Sequence, residues 1–142
     1  MPSPNQLIDK ILAHPTIGSI VALVARLLLS YLFITSGWAK ITNYAGTAAY
    51  FQAGGVPTTL LPLVIVVEFI GGLMILFGIQ TRFVALVIGT FAIAAAFIMH
   101  SAPEQAMDFM KNFAIGGGFF ALMLHGADSF SIDGILSKSY DR

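Results

Sequence analysis

Two charged side chains lie deep inside apolar stretches of the sequence. Arg26 and Glu68 each stand near the middle of a long apolar run, where an unpaired charge costs roughly 2.5–3.5 kcal/mol on insertion scales. Opposite charges at one depth on consecutive antiparallel helices predict a direct Arg26–Glu68 ion pair. Two interpretations of that pair remain open: it fixes the register of two helices, or it lines a polar pocket for a headgroup, a substrate or a proton.

A second polar set gathers where the apolar runs end. Lys40 ends the first run, Gln52 follows in the connection, His100 ends the third run, and Lys111 with Asn112 precedes the fourth. These residues are expected at one membrane face. As ordinary interface residues, the lysines would extend their amines to lipid headgroups; as a site, the set would hold a polar ligand, and the histidine could exchange protons near neutral pH.

One helical face connects the two sets. Five residues follow one another at spacings of four, three, four and three, which places them on one side of a helix: Arg26, Ser30, Phe33, Gly37 and Lys40. We therefore predict a continuous groove, with Arg26 and Glu68 at its floor, Lys40, His100, Lys111 and Asn112 around its mouth, and Phe33 and Phe69 in its apolar walls. Gly37 and Gly72 have an alternative interpretation: small residues that let neighbouring helices pack closely, without contact to a ligand.

Several kinds of chemistry are excluded by the residue types. The chain has no cysteine, so it supplies no disulfide, thiolate metal site or Cys-ligated iron–sulfur cluster. We find no metal-binding or nucleotide-binding motif, and expect no metal site. His100 and His125 end consecutive antiparallel runs and His14 lies near the N-terminus, so a haem held by two histidines is not expected. None of the candidate residues is a credible nucleophile.

The composition then sets the class of protein. Of 142 residues, 57% are hydrophobic and 10% charged, and the mean hydropathy is +0.86. A soluble domain averages about 25% charged residues, so lipid must be the solvent of this chain. Its formal net charge is zero, which argues against a nucleic-acid partner.

The elements that carry these residues are four apolar runs. A bilayer crossing needs about 20 apolar residues, and inside lipid such a segment is helical because its backbone must satisfy itself. We predict an all-α membrane protein, one domain over 1–142, with a four-helix transmembrane bundle and short interfacial helices. The spans are expected at about 17–37, 60–79, 83–100 and 113–127. Short helices are expected at 43–53 and on the N-terminal apolar stripe Leu7, Ile8, Ile11 and Leu12.

The positive charges predict an orientation. Four spans put both termini on one side, and cytoplasmic loops carry the excess of lysine and arginine. The terminal side collects four of these residues and the opposite side two, so both termini are expected in the cytoplasm: Lys10, Arg82, Lys138 and Arg142 against Lys40 and Lys111.

An ordered set of short motifs resembles the DoxX family of small bacterial inner-membrane proteins. The motifs cover nearly the whole chain: Phe-Ile-Thr-Ser-Gly-Trp-Ala-Lys at 33–40, Gly-Val-Pro at 55–57, Glu68 with Gly72, Gly-Ile-Gln-Thr-Arg at 78–82, His100, Lys111-Asn112 and Ser-Ile-Asp at 131–133. The resemblance implies a four-helix inner-membrane protein, some relatives being subunits of thiosulfate:quinone oxidoreductase or quinol oxidase and others partners of redox enzymes.

The resemblance also implies a ligand and positions that would serve it. No intrinsic cofactor is expected, so electron transfer would need a quinone or a second subunit acting as redox partner. Binding of a polar head or movement of protons would fall to Arg26, Lys40, Glu68, Arg82, His100, Lys111 and Asn112. Other functions stay open: a non-catalytic scaffold or lipid-binding protein, and a small transporter, which four helices could build only as a homo-oligomer or with inverted repeats.

Overall fold

The computed structural model describes residues 2–140, and within that range the chain forms helices and turns without β-strands. Helix α4 begins with a 3₁₀ turn at Thr58–Leu60 and contains a π turn at Val66–Ile70. A 3₁₀ turn at Pro103–Gln105 precedes α6. The helices are α1 (Pro4–Leu12), α2 (Pro15–Thr42), α3 (Tyr44–Ala53), α4 (Thr58–Phe77), α5 (Thr81–Met99), α6 (Ala106–His125) and α7 (Ile132–Tyr140).

Three helices of the described chain are long and apolar enough to cross a membrane. These are α2, α4 and α5, where the sequence predicted four spans. Helix α6 has 20 residues, but it begins with the segment that carries Asp108 and Lys111 and continues through three consecutive glycines, all of which lower its apolar character. The connection between the third and fourth predicted spans supplies the first turns of α6.

Helix α1 forms where the N-terminal apolar stripe predicted it. Ser3 and Gln6 close a capping box at its start, which satisfies two of the free N–H groups of the first turn. Its four apolar side chains remain 43–54% exposed. A helix with one apolar face and no cover from the rest of the protein is suited to the membrane surface.

The turn between α4 and α5 is closed by backbone and side-chain caps. Gly78 adopts a left-handed φ of 67°, and the N–H of Ile79 donates to the carbonyl of Met74 at 2.8 Å, as in a Schellman motif. The carboxylate of Asp133 accepts from the N–H groups of Gln80 and Thr81, each at 2.8 Å. The first turn of α7 is thereby fixed to the first turn of α5.

The helices pack around an apolar core, and glycines lie where α2 and α4 cross most closely. A Cβ on Gly37 would lie 2.7 Å from the backbone nitrogen of Phe69, and one on Gly72 would lie 2.9 Å from the side chain of Ile34. The glycines therefore let α2 and α4 touch. Nearby, the ring of Phe33 meets that of Phe119 edge to face at 5.2 Å, which joins α2 to α6.

The predicted Arg26–Glu68 pair is wrong. The prediction assumed that the midpoints of the two helices lie at the same depth. However, α2 has 28 residues and α4 has 20, so their midpoints need not coincide. Since Gly37 lies against Phe69, Glu68 is level with the last turns of α2, and Arg26 lies about 16 Å away along the axis at 1.5 Å per residue. The first turns of α2 extend past the end of α4, where Ser19 donates to Asp128.

Candidate ligand cavity

A cavity of about 990 Å³ lies between α2, α3, α4, α5 and α6. It occupies the end of the bundle formed by the last turns of α2 and α5, which we call the cavity end; the opposite end, with α1 and α7, is the terminal end. Five of the six residues predicted for the pocket line this cavity: Lys40, Glu68, His100, Lys111 and Asn112. The structure therefore brings together polar side chains from α2, α4, α5 and α6, and it leaves out Arg26.

Lys40 is the partner of Glu68. The ammonium nitrogen of Lys40 lies 2.7 Å from Oε2 of Glu68 and donates a hydrogen bond to Oγ of Ser36 at 2.7 Å. The Glu68 side chain is 9% exposed and that of Lys40 21%. A carboxylate so deeply buried needs a cation beside it, and the geometry provides one from the neighbouring helix. Ser36, one turn before Lys40, could have been found by its i, i+4 spacing.

The π turn of α4 orients Glu68 toward the cavity. Glu68 is the middle residue of the turn at Val66–Ile70, where the helix accommodates an extra residue and so redirects the side chains around it. Single π turns inside α-helices are rare and often mark functional sites. Neither composition nor spacing predicted this turn, because the flanking sequence reads as an ordinary apolar helix.

His100 and the first turns of α6 form the other polar side of the cavity. The Nδ1 atom of His100 is buried and has no hydrogen-bond partner among residues 2–140, so a ligand atom can satisfy it. The ammonium nitrogen of Lys111 lies 2.6 Å from Oδ1 of Asp108, with which it forms an ion pair. Asn112 donates to the backbone carbonyl of Asp108 at 3.1 Å. Asp108 was not among the predicted site residues.

The remaining lining of the cavity is largely apolar. Phe33 contributes to the wall as predicted, together with Phe51 and Phe91. The predicted wall residue Phe69 instead packs against Trp38, with ring centroids 5.9 Å apart. An apolar chamber with a few polar groups placed around it is the usual form of a small-molecule site in proteins.

Helix α3 covers one side of the cavity. Phe51 of this helix is buried, and Nε2 of Gln105, just before α6, donates to the hydroxyl of Tyr50 at 3.3 Å. The sequence predicted a short helix at 43–53, in agreement with α3. Gln52, expected near the site, is exposed and does not line the cavity.

Arg26 lies apart from the cavity and binds backbone carbonyls. Its side chain is fully buried and donates to the carbonyls of Leu76 at 3.1 Å, of Ile75 at 3.4 Å and of Phe130. The carbonyls of the last turn of a helix lack partners within that helix and attract positive charge. Arg26 therefore caps α4 and fastens the segment before α7 to it, so its predicted place at the pocket floor is wrong. Arg82 lies at the terminal end as well.

The order of these residues along the chain corresponds to a known family. The DoxX family model matches residues 21–101, a segment that includes Lys40, Glu68 and His100. The chain belongs to the DoxX family. This DoxX member is 50% identical over 121 residues to the inner membrane protein YqjF of Escherichia coli (strain K12), an alignment covering 83% of this chain and 93% of the relative.

Two further relatives are more distant. The inner membrane protein YphA of the same organism is 27% identical over 124 residues, with 80% of this chain and 89% of the relative covered. A protein of Bacillus subtilis (strain 168) named "Putative oxidoreductase CatD" is 29% identical over 73 residues, with 51% of this chain and 54% of the relative covered. No solved structure matches the chain at a significant level.

Proposed function

We propose that this DoxX protein binds the head of a quinone or quinol in the cavity at the cavity end, as the membrane subunit of an oxidoreductase. The observation that carries the proposal is the convergence of five polar side chains, from four helices of a membrane protein, on one largely apolar cavity. The name of the relative CatD agrees with a redox role for the family. A quinone head needs one or two hydrogen bonds and apolar walls, and both are present.

The chain's own residues would bind the head and exchange its protons. The Lys40–Glu68 pair offers an ammonium donor and a carboxylate within 2.7 Å of each other, and His100 offers a buried ring nitrogen without a partner in the described chain. Glutamate and histidine side chains can each take up or release a proton. Reduction of a quinone to quinol takes two electrons and two protons; the electrons would come from a partner redox subunit.

We also propose that α6 crosses the membrane as a fourth span. Helix α6 runs antiparallel to α5 along its whole length: Phe97 contacts Phe109 with ring centroids 5.3 Å apart, and Arg82 donates to the carbonyl of His125 at 3.4 Å. Both helices therefore extend over about 23 Å between these contacts at 1.5 Å per residue. A helix that matches a membrane-spanning neighbour end for end crosses the same layer.

The protein lies in the inner membrane with both termini in the cytoplasm, according to this proposal. Two relatives are named inner membrane proteins, and the apolar helices α2, α4 and α5 make the chain a multi-pass membrane protein. With α6 as a fourth span, α1 and α7 lie on one side of the bilayer. The excess of lysine and arginine places that side in the cytoplasm; Arg142, one of the residues counted for it, lies outside the described residues.

Direct binding of a quinone analogue tests the proposed site. Purified protein in detergent is titrated with a radiolabelled short-chain ubiquinone, and bound label is measured after rapid gel filtration. Glu68→Gln and His100→Ala should each weaken binding about tenfold or more, since hydrogen bonds to charged or buried groups contribute about 1.5–3 kcal/mol. Arg82→Ala, which removes a charge at the terminal end, should bind as the wild type does.

Two results would overturn the proposal. Wild-type protein that binds no quinone analogue would remove the redox role and leave lipid binding or a scaffold function in its place. Equal affinity in all three variants would place any quinone site away from this cavity. Mass spectrometry of the small molecules that co-purify with the wild type, compared with those of Glu68→Gln, identifies the natural occupant.

A further inference from the structure

A second groove lies at the terminal end, far from the cavity. It has a volume of about 490 Å³ and is formed by the first turn of α5, the end of α6 and the first turns of α7. Its basic side chains come from all three helices: Arg82, His125 and Lys138. The proposed quinone site uses none of them.

The guanidinium of Arg82 is held in place at this groove. Its Nη2 donates to the carbonyl of His125, and a Cβ on Gly126 would lie 3.2 Å from its Nε. Gly126 has a φ of +81°, which disfavours other residues and keeps this face of the turn open to the arginine. No carboxylate of residues 2–140 forms an ion pair with Arg82, so most of its five donors remain available.

Two carboxylates also line the groove, but both are already bound by the protein. Asp133 accepts from the backbone N–H groups of Gln80 and Thr81. Asp128 accepts from the N–H of Ser129 at 2.6 Å and from the hydroxyl of Ser19 at 3.3 Å. Both oxygens of Asp133 and Oδ1 of Asp128 therefore accept from protein donors, while Arg82 and Lys138 line the groove without an ion pair in residues 2–140.

The position of Arg82 in the fold indicates where an anion would come from. Arg82 is the second residue of α5, a membrane-spanning candidate, so it stands at the boundary between the headgroups and the hydrocarbon. The next residue, Phe83, lines the groove and is 65% exposed. A molecule with a phosphate at Arg82 can therefore lay an acyl chain along the side of α5.

We propose that this groove binds the phosphate of an anionic membrane phospholipid, such as phosphatidylglycerol. The planar guanidinium of Arg82 matches the geometry of a phosphate and can donate two parallel hydrogen bonds. Lys138 adds a second positive charge from α7, whose first turn Asp133 fixes beside α5. The site is built by the contact between α7 and the hairpin of α4 and α5, and its occupant would join the three elements from the lipid side.

Titration with lipid in a neutral background tests the proposal. Purified protein in dodecylmaltoside micelles with phosphatidylcholine is titrated with phosphatidylglycerol, and the lipid retained is counted by native mass spectrometry. The Arg82→Gln and Lys138→Gln variants should each lose about fivefold in affinity, because a basic residue near an anionic lipid surface contributes about 1 kcal/mol. Lys10→Gln, an equal loss of charge on the exposed helix α1 of the same end, is the matched control.

The outcomes distinguish specific binding of phosphatidylglycerol in the groove from nonspecific electrostatic attraction of the lipid to the protein. Retained phosphatidylglycerol that falls in the Arg82 and Lys138 variants but not in Lys10→Gln supports the proposal. An equal fall in all three variants would mean diffuse electrostatic attraction, and no fall in the Arg82 variant would mean that the groove does not bind lipid; either result overturns it. Inorganic phosphate that displaces phosphatidylglycerol at equal concentration would assign the groove to a soluble phosphate instead.

Each variant is checked for folding by its melting temperature without added lipid. Should Arg82→Gln fail to fold, Arg82→Lys keeps the charge and removes the fork of donors. Arg82→Lys should retain less phosphatidylglycerol than the wild type. A variant that combines Arg82→Lys with Lys138→Gln should retain less than Arg82→Lys alone. Quinone binding at the cavity end should be unchanged in all of these variants, so the two proposals fail independently.

Discussion

At the scale of single residues, the protein uses two different solutions for a charge in a membrane. Glu68 is neutralised by the ammonium of Lys40 on the neighbouring helix. Among residues 2–140, Arg26 forms no ion pair; its two terminal nitrogens donate to carbonyls of α4 and of Phe130. In the first arrangement the charged groups line a cavity. In the second, the guanidinium donates its hydrogen bonds to backbone carbonyls and so links α2 to α4 and to Phe130. Only the first is suited to binding a ligand.

A pair of double-mutant cycles distinguishes these partners. Lys40→Met and Glu68→Gln should show a coupling energy of about 0.5–3 kcal/mol in the free energy of unfolding, as contacting residues do. Arg26→Met and Glu68→Gln should add to within about 0.5 kcal/mol, as distant residues do. The measurement is reversible unfolding in mixed micelles of dodecylmaltoside and sodium dodecyl sulfate. Strong coupling in the second cycle, with none in the first, would contradict the register of α2 and α4.

The types of the residues and their places in the apolar runs indicated most of the candidate site. The ion-pair partner of Glu68 depends on how α2 and α4 are aligned along their axes. Lys40, His100, Lys111 and Asn112 could be grouped because each ends or begins an apolar run, and the ends of antiparallel helices meet. The partner of Glu68 could not be deduced in that way. Counting residues along a run locates a charge within its own helix, but the contact of Gly37 with Phe69 sets how two helices of unequal length align.

At the scale of the elements, close helix contact and one irregular turn shape the cavity. Gly37 of α2 and Gly72 of α4 let the two helices touch beside the cavity. Glu68, in the π turn of α4, forms its ion pair with Lys40 of α2. The helices themselves could be predicted from hydropathy, and Gly78 ended α4 as its position indicated. The π turn could not, because its sequence contains no residue that disfavours an ordinary α-helical hydrogen bond.

Two glycine substitutions test the closeness of the α2–α4 crossing. Gly37→Ala should lower the free energy of unfolding by about 1–3 kcal/mol, since its Cβ would overlap the backbone of Phe69. Gly117→Ala, on α6, is the matched control: its Cβ would meet nothing within 4 Å, and alanine in a helix is more stable than glycine by about 0.5–1 kcal/mol. Gly117→Ala should therefore be neutral or stabilising. A stabilising Gly37→Ala would mean that the two helices lie farther apart.

At the scale of the whole molecule, the two ends of the bundle are built differently. The cavity end gathers polar side chains around a largely apolar cavity, whereas the terminal end joins α7, the turn between α4 and α5, and the first turns of α2. The composition predicted a membrane protein and the antiparallel order of helices predicted which ends meet. The role of the terminal end was not predicted, because it depends on backbone carbonyls and caps that leave little trace in composition.

Reporter fusions test the orientation of the whole molecule. Alkaline phosphatase, which is active only in the periplasm, should be inactive when fused at either terminus, because Lys10, Arg82 and Lys138 favour the cytoplasm for the terminal end. A fusion in the connection between α5 and α6, after Ser101, should be active. Phosphatase activity at one terminus alone would mean an odd number of spans and would remove α6 from the transmembrane set. Activity at both termini would reverse the orientation.

The bond between Arg26 and Phe130 has a consequence for how the protein is made. The two residues are 104 positions apart, so α2 enters the bilayer with its arginine long before the ribosome has added the carbonyl that completes its environment. Until then the guanidinium in α2 lacks one of its acceptors, and an arginine without partners near the centre of a membrane helix costs roughly 2.5–3.5 kcal/mol on insertion scales. A chain that ends before Phe130 would keep α2 in the bilayer without that acceptor, so the stability of the N-terminal part of the protein depends on its last quarter.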